Sequence, residues 1–251
     1  MNIHPTAIVS NKAKIANDVE IGPFTIVYDN VCIEASSVIE GFCEIGVANH
    51  LSGGKKLVIG EGSYIRSHSI FYEGSTFGEK LVTGHRVTVR EKTVAGKNLQ
   101  IGTLSDIQGH CQIGDYVRFH SNVHIGQKSK IGSFVWIFPY VVLTNDPHPP
   151  REVLQGVEVE DFAVISTMSV ILPGIKVSQG CLIGANSMLG IKTEPNMLYS
   201  GNPARKVCKA SKMKLKDGSR KPAYPWITHF HRGYPPEVIS DWEKLIDERI
   251  I

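Results

Sequence analysis

Large aliphatic side chains recur every six residues along most of this chain. Between Ile101 and Leu143 the phase is unbroken: Ile101, Ile107, Ile113, Phe119, Ile125, Ile131, Ile137 and Leu143. A smaller partner stands two places before each later member, at Ser105, Cys111, Val117, Val123, Ser129, Val135 and Val141. Two inward residues flanking one outward residue is the alternation of a short strand. Gly102, Gly114, Gly126 and Gly132 directly follow a repeat aliphatic, where the spacing predicts that the chain bends. A period of six kept over this length predicts a parallel β-helix of hexapeptides. Three hexapeptides make one triangular coil, so residues eighteen apart stack on one face at roughly 4.8 Å.

The repeat starts at Ile3 and runs in phase to Ile45, with small partners such as Ala7, Thr25 and Cys43. A slip of two residues before Ile59 predicts a small corner loop, and the weak rung Thr83 predicts an irregular wall over 79–85. A slip of four between Leu143 and Val159 contains Pro147, Pro149 and Pro150, which cannot continue a central strand. Residues 144–158 are therefore expected as an extruded loop. The pattern gives an all-β solenoid over 1–194 and a C-terminal extension over 195–251. Within the extension, Arg205 to Lys221 form a basic run, and Ile239, Trp242 and Ile246 share one face of a helix expected near 237–249. That helix is expected to fold back on the solenoid or on a neighbouring subunit.

Composition narrows the class. A net charge of +3 over 251 residues gives no whole-chain argument for nucleic acid or a membrane as partner. No apolar run reaches transmembrane length and the N-terminal stretch lacks a signal-peptide core, so a cytoplasmic protein is expected. Three of the five cysteines, Cys43, Cys111 and Cys181, occupy small inward positions and read as core fillers. No metal-ligand spacing is present, and no metal is expected.

The stacking rule places Asp106 beneath His124 on the outer surface, a carboxylate able to orient an imidazole base. His110, His120 and Asn122 crowd the same span, and the proline-rich loop adds Asn145, Asp146 and His148. These residues, the opening His-Pro-Thr-Ala-Ile-Val, the stretch 101–110, the stretch 120–125 and the Gly-Asn-Pro-Ala of 201–204 resemble the left-handed β-helix acyltransferases. Within that superfamily, residues 1–207 look most like nucleotide-sugar N-acyltransferases of surface-polysaccharide assembly.

The resemblance implies a left-handed coil, a homotrimer with sites between subunits, a nucleotide-linked amino sugar as acceptor and acetyl-CoA as co-substrate, with no tightly bound cofactor. It implies His124 as base, oriented by Asp106, with His148 as a rival. His120, Asn122, Asn145 and Asp146 are expected around the acceptor. Arg90, Glu91 and Arg118, the nearest charges on the middle coils, are candidates for the nucleotide. Ser166, Gly184, Ala185, Lys192 and Arg205 are expected along the coenzyme A arm. The outward Trp136, with Phe138 and Tyr140, argues for oligomerisation or for packing under the Pro147 loop. Three alternatives stand beside this reading. One is O-acylation from acyl carrier protein, as in the lipid A branch, although its His-Xaa-Xaa-His-Asp-Cys stretch is absent. The others are a γ-carbonic-anhydrase-like hydratase and a non-enzymatic scaffold.

Overall fold

A computed structural model describes residues 2–150 and 152–247. Among them, short strands form three flat faces of twelve, ten and nine strands, and each strand but the last of the first face pairs with the one a coil away. The register is the one the repeat dictates: Asp106 pairs with His124 and Ile107 with Ile125, both parallel. Inside, the aliphatics and their small partners fill the triangle; Ile107, Cys111, Val117, Val123 and Ile125 are all buried. Full burial of such side chains is worth about 1.5–3 kcal/mol each, which is what holds two-residue strands in place.

The corners work differently from the sequence expectation. The bend falls three places after the aliphatic, at side-chain-bearing residues in the left-handed region, such as Leu104 (φ 60°), Asn122 (φ 59°) and Tyr140 (φ 61°). The glycine directly after the aliphatic answers close approach instead. A Cβ on Gly102 would lie 2.3 Å from the carbonyl carbon of His120 on the next coil.

Both phase slips are loops. One lies between the strands Glu44–Val47 and Leu57–Ile59, the other between Val142–Leu143 and Glu158–Val159. In the second, Gln155 N donates to the Asn145 carbonyl at 2.8 Å and closes the base; residue 151 of this loop lies outside the described residues. The wall is locally irregular at Thr83, as expected: the strand Tyr64–Ile65 is in register with Val82 alone, and Arg66 N donates to the Thr83 side chain where neighbouring rungs donate to a carbonyl. Thr83 is buried in the strand Val82–Thr83, and its Oγ1 accepts from Arg66 N at 2.9 Å, so the hydroxyl is satisfied inside the wall.

The first face continues past the repeat through Met197–Gly201, parallel to Leu182–Ile183, and then Ala204–Lys209, antiparallel to it. The helix Pro236–Asp247 follows, and residues 248 and 249 of the expected helix lie outside the described residues. Trp242 on this helix, with Trp226 and Tyr234, packs on Phe134, Trp136, Val164 and Leu182 as a second apolar core. Trp136 Nε1 donates to Tyr234 Oη at 3.1 Å. Trp136 and Phe138 are therefore covered by the chain's own extension, not by the Pro147 loop, and they carry no argument for a subunit contact. No helix among the described residues is long and apolar enough to cross a membrane.

Candidate active site

The second face carries the outward column Thr88, Asp106, His124, Val142 on successive strands. His124 Nδ1 lies 3.2 Å from Asp106 Oδ2, with the two side chains 41% and 33% exposed. The pair is open enough to meet a substrate and sheltered enough for its charges to be felt. Burial pushes the Asp106 carboxyl up, but hydrogen bonds from His124 and Gln108 and the nearby Arg90 charge outweigh it, so the group sits below its usual range. Asp106 is thus held as the anion that an imidazole donor needs.

Arg90 and Gln108 occupy the next corner in register, one place after Val89 and Ile107. Gln108 Nε2 donates to Asp106 Oδ2, and Arg90 Nη1 reaches Gln108 Oε1 at 3.5 Å. Arg90 also grips Glu91 through Nε and Nη2, both at 3.3 Å. Glu91 is 0% exposed, so it supports Arg90 and has no surface to offer a nucleotide. Arg118 is likewise corrected. It lies on the first face, 4% exposed, under the Tyr234 ring at 5.1 Å, and donates to Asn98 Oδ1 at 2.7 Å. Its guanidinium ties the extension to the solenoid. Burial in turn pushes the Tyr234 hydroxyl up to about 12.

His120 directly follows the first-face strand Arg118–Phe119 and stacks on Phe138 at 4.5 Å, where burial pushes its pKa down. It opens a cleft of about 310 Å³ shared with Trp136, Trp226, Phe230 and Arg232. Asn122 turns the corner between His120 and His124. His110 stands beside Lys92 and Lys128; burial, then those positive charges, push its pKa down.

The loop leaves the second face directly after Leu143, one coil beyond Gly126 and two beyond Gln108. Asn145 and Asp146 are half-buried at its base. His148 is exposed; its backbone N–H donates to Asp146 Oδ1 at 3.0 Å, and no contact joins it to His124 among the described residues. Ser166, Gly184 and Ala185 share the corner beyond His120 and Phe138. Lys192 follows the last second-face strand and Arg205 lies on the outermost first-face strand, so these five do not form one surface. Sequence reasoning missed Gln108 and Asn49. The signal for Gln108 was present, since it fills a corner that glycine takes at 102, 114, 126 and 132 and stacks on Arg90.

No family model matches the chain. The chain is 36% identical over 137 residues to the acyl-[acyl-carrier-protein]–UDP-N-acetylglucosamine O-acyltransferase of Saccharophagus degradans, covering 52% of this chain and 48% of that one. It is 32% identical over 167 residues to the protein of the same name from Thermodesulfovibrio yellowstonii, covering 64% and 56%. The chain thus spans about half the length of the curated relatives it matches. Among solved structures, the Arabidopsis UDP-N-acetylglucosamine acyltransferase superposes with a TM-score of 0.60 at 17% identity, over 82% of this chain and 74% of that one. The likeness to that structure concerns the fold.

The relatives overturn the expectation of N-acylation by acyl-CoA, because their names specify O-acylation with an acyl-carrier-protein donor. Acetyl-CoA as co-substrate falls with it, and so does the coenzyme A role given to Ser166, Gly184, Ala185, Lys192 and Arg205. The motifs behind that expectation build corners and coils, which are common to the fold whatever the donor. The chain is a hexapeptide-repeat protein of the left-handed β-helix fold, similar over about half its length to UDP-N-acetylglucosamine O-acyltransferases.

Proposed function

We propose that the protein transfers an acyl group from an acyl-carrier-protein thioester to a hydroxyl of UDP-N-acetylglucosamine, with His124 as general base. The observation that carries this reading is the Asp106–His124 pair on adjacent coils, in a chain whose relatives bear that activity in their names. The pair is drawn from two coils, not from the single stretch associated with this branch. A deprotonated amine attacks a thioester unaided, whereas a hydroxyl has to shed its proton as it attacks, so O-acylation makes the stronger demand for a base.

Asp106 engages Nδ1 of His124, which leaves Nε2 to take the hydroxyl proton. The C–O bond forms as the carbonyl electrons move onto oxygen, where the Asn122 or Asn145 amide or a wall N–H would donate. Collapse breaks the C–S bond, and the proton held by His124 passes to the leaving thiolate. Positive charge at Lys92 and Lys128 beside His110 suits the acceptor's diphosphate, the Arg90 fork being taken up by Glu91 and Gln108. The loop bearing His148 would border the same acceptor.

The same reading makes the protein a homotrimer. Phe24, Phe42, Leu104, Tyr140 and Met168, each half or more exposed, stand in one column along the corner between the first and second faces. Asn122 belongs to that column, so a subunit packed on the ridge would reach the dyad. Five free thiols suit a reducing compartment, and we place the reaction in the cytoplasm.

The test is incubation of the purified protein with UDP-N-acetylglucosamine and acyl carrier proteins of graded chain length, following ester product and free thiol. Turnover that His124→Ala abolishes is expected. No turnover with any chain length would defeat the reading.

A further inference from the structure

The dyad is the end of a longer chain of directed hydrogen bonds. Its far end is the corner loop after Val47, where Asn49 Oδ1 accepts from Leu51 N at 2.9 Å and Ser52 N at 2.8 Å. Those two donors fix the amide, so Asn49 Nδ2 faces outward from the turn and donates to Glu91 Oε2 at 2.8 Å. The buried Glu91 carboxylate then holds the Arg90 fork through both of its oxygens. A guanidinium only donates, so the group it meets on Gln108 has to be Oε1 and not Nε2. With its amide set that way, Gln108 presents Nε2–H to Asp106 Oδ2. Asp106, an anion that only accepts, in turn requires a proton on Nδ1 of His124.

We propose that Gln108, Arg90, Glu91 and Asn49 are positioning residues that lock His124 in the Nδ1–H tautomer and leave the Nε2 lone pair facing the acceptor. The proposal rests on His124 acting as the base, and it adds a reason for a buried carboxylate with no surface of its own. Imidazole free in water exchanges between its tautomers, and only one of them is a base at Nε2. Asp106 removes the other, and the relay acts through it, holding the carboxylate oxygen against Nδ1 by a series of fixed amides and ions that begins at a backbone turn. The relay also couples the site to the loop holding Asn49, far upstream in sequence. Ser52 Oγ donates to the Asn49 carbonyl at 2.7 Å and anchors that loop from within.

The experiment uses the full chain labelled with 15N-histidine, with the His124 signals assigned by their loss in His124→Ala. In the wild type, Nδ1 should carry the proton and Nε2 should not. In Gln108→Leu and Glu91→Gln, the two nitrogens should move toward averaged values while the His120 signals, which answer to burial alone, stay in place. Acceptor KM should hold and kcat should fall by about 10-fold to 100-fold, a part of the ~100-fold to 10,000-fold a general base contributes. Arg90→Lys, which keeps the charge but loses the fork, should fall between. Should the inner variants fail to fold, Asn49→Ala at the loop decides the matter with the same signals. An unchanged tautomer in every folded variant, or a mixed tautomer in the wild type, overturns the relay. The tautomer is read without substrate. A locked ring in a protein that turns over nothing would therefore sink the proposed reaction and leave the relay standing.

Discussion

Gly102→Ala is a one-carbon test of how tightly the coils and the site are joined. The new Cβ would stand 2.3 Å from the His120 carbonyl carbon and 2.5 Å from both His120 O and Ser121 N. All three are backbone atoms of the next coil, so no side chain can swing aside. Ordinary contact begins at 3.4 Å, and the two coils would have to open by about 1.1 Å, the difference between 3.4 and 2.3 Å. Overpacking of this kind costs ~1–3 kcal/mol. At about 2–4 °C per kcal/mol for a chain of this size, the Tm should drop by roughly 2–12 °C. The same opening separates the turn that leads to Asp106 from the turn that leads to His124, whose contact at 3.2 Å has little slack before it ceases to be a hydrogen bond. A misplacement of about 1 Å costs on the order of 100-fold in rate, so kcat should fall by that order while the far-ultraviolet spectrum stays that of a β-protein. Gly218→Ala, in the C-terminal extension, is the control. Nothing lies within 4 Å of its Cβ and only its φ of 87° is strained, so it should lose stability modestly and keep kcat. A Gly102→Ala protein with wild-type Tm and kcat would refute the idea that coil spacing sets the dyad.

Other outcomes follow from the same geometry. His124→Ala should lower kcat by ~100-fold to 10,000-fold, Asp106→Asn should lose much of that factor, and the double variant should be little worse than the worse single, because the two act as one unit. Additive losses would separate them. Burial lowers the His120 pKa, so below about 6.5 the unfolded chain takes up a proton that the folded chain resists, and stability present above that pH is lost as pH falls through it. His120→Phe should make the fall in Tm between pH 7.5 and 5.5 shallower; an unchanged slope would clear His120 of that role. Tyr140→Glu with Met168→Glu places charge on the exposed ridge and should convert a trimer to monomers by light scattering, with activity lost alongside. A trimer that survives the pair would move the interface elsewhere.

The register and the Asp106–His124 pair were legible because an eighteen-residue coil turns sequence separation directly into contact. Gln108 was equally legible in principle, as a polar residue where other coils carry glycine. Arg118 and Trp136 were not. Periodicity says that a side chain points outward, but not that a segment one hundred residues later, around Trp226 and Tyr234, returns to cover it. Glu91 was misread for a related reason. A charged residue in a corner looks exposed until an extruded loop supplies Asn49 to bury and bind it. The choice between coenzyme A and acyl carrier protein, which stood as the alternative, was beyond reach, since the hexapeptide repeat encodes a wall and carries no information about what docks against it.

The last strand of the first face, Ala204–Lys209, runs against every other strand in that face. An end of a parallel solenoid is otherwise a row of open rungs, ready to accept another copy as the next coil. The reversed strand offers an incoming parallel rung the wrong hydrogen-bond pattern, and Arg205, Lys206 and Lys209 arm it with charge. The hairpin therefore works as a stop signal for the first face: a further parallel coil finds no matching edge beyond Ala204–Lys209.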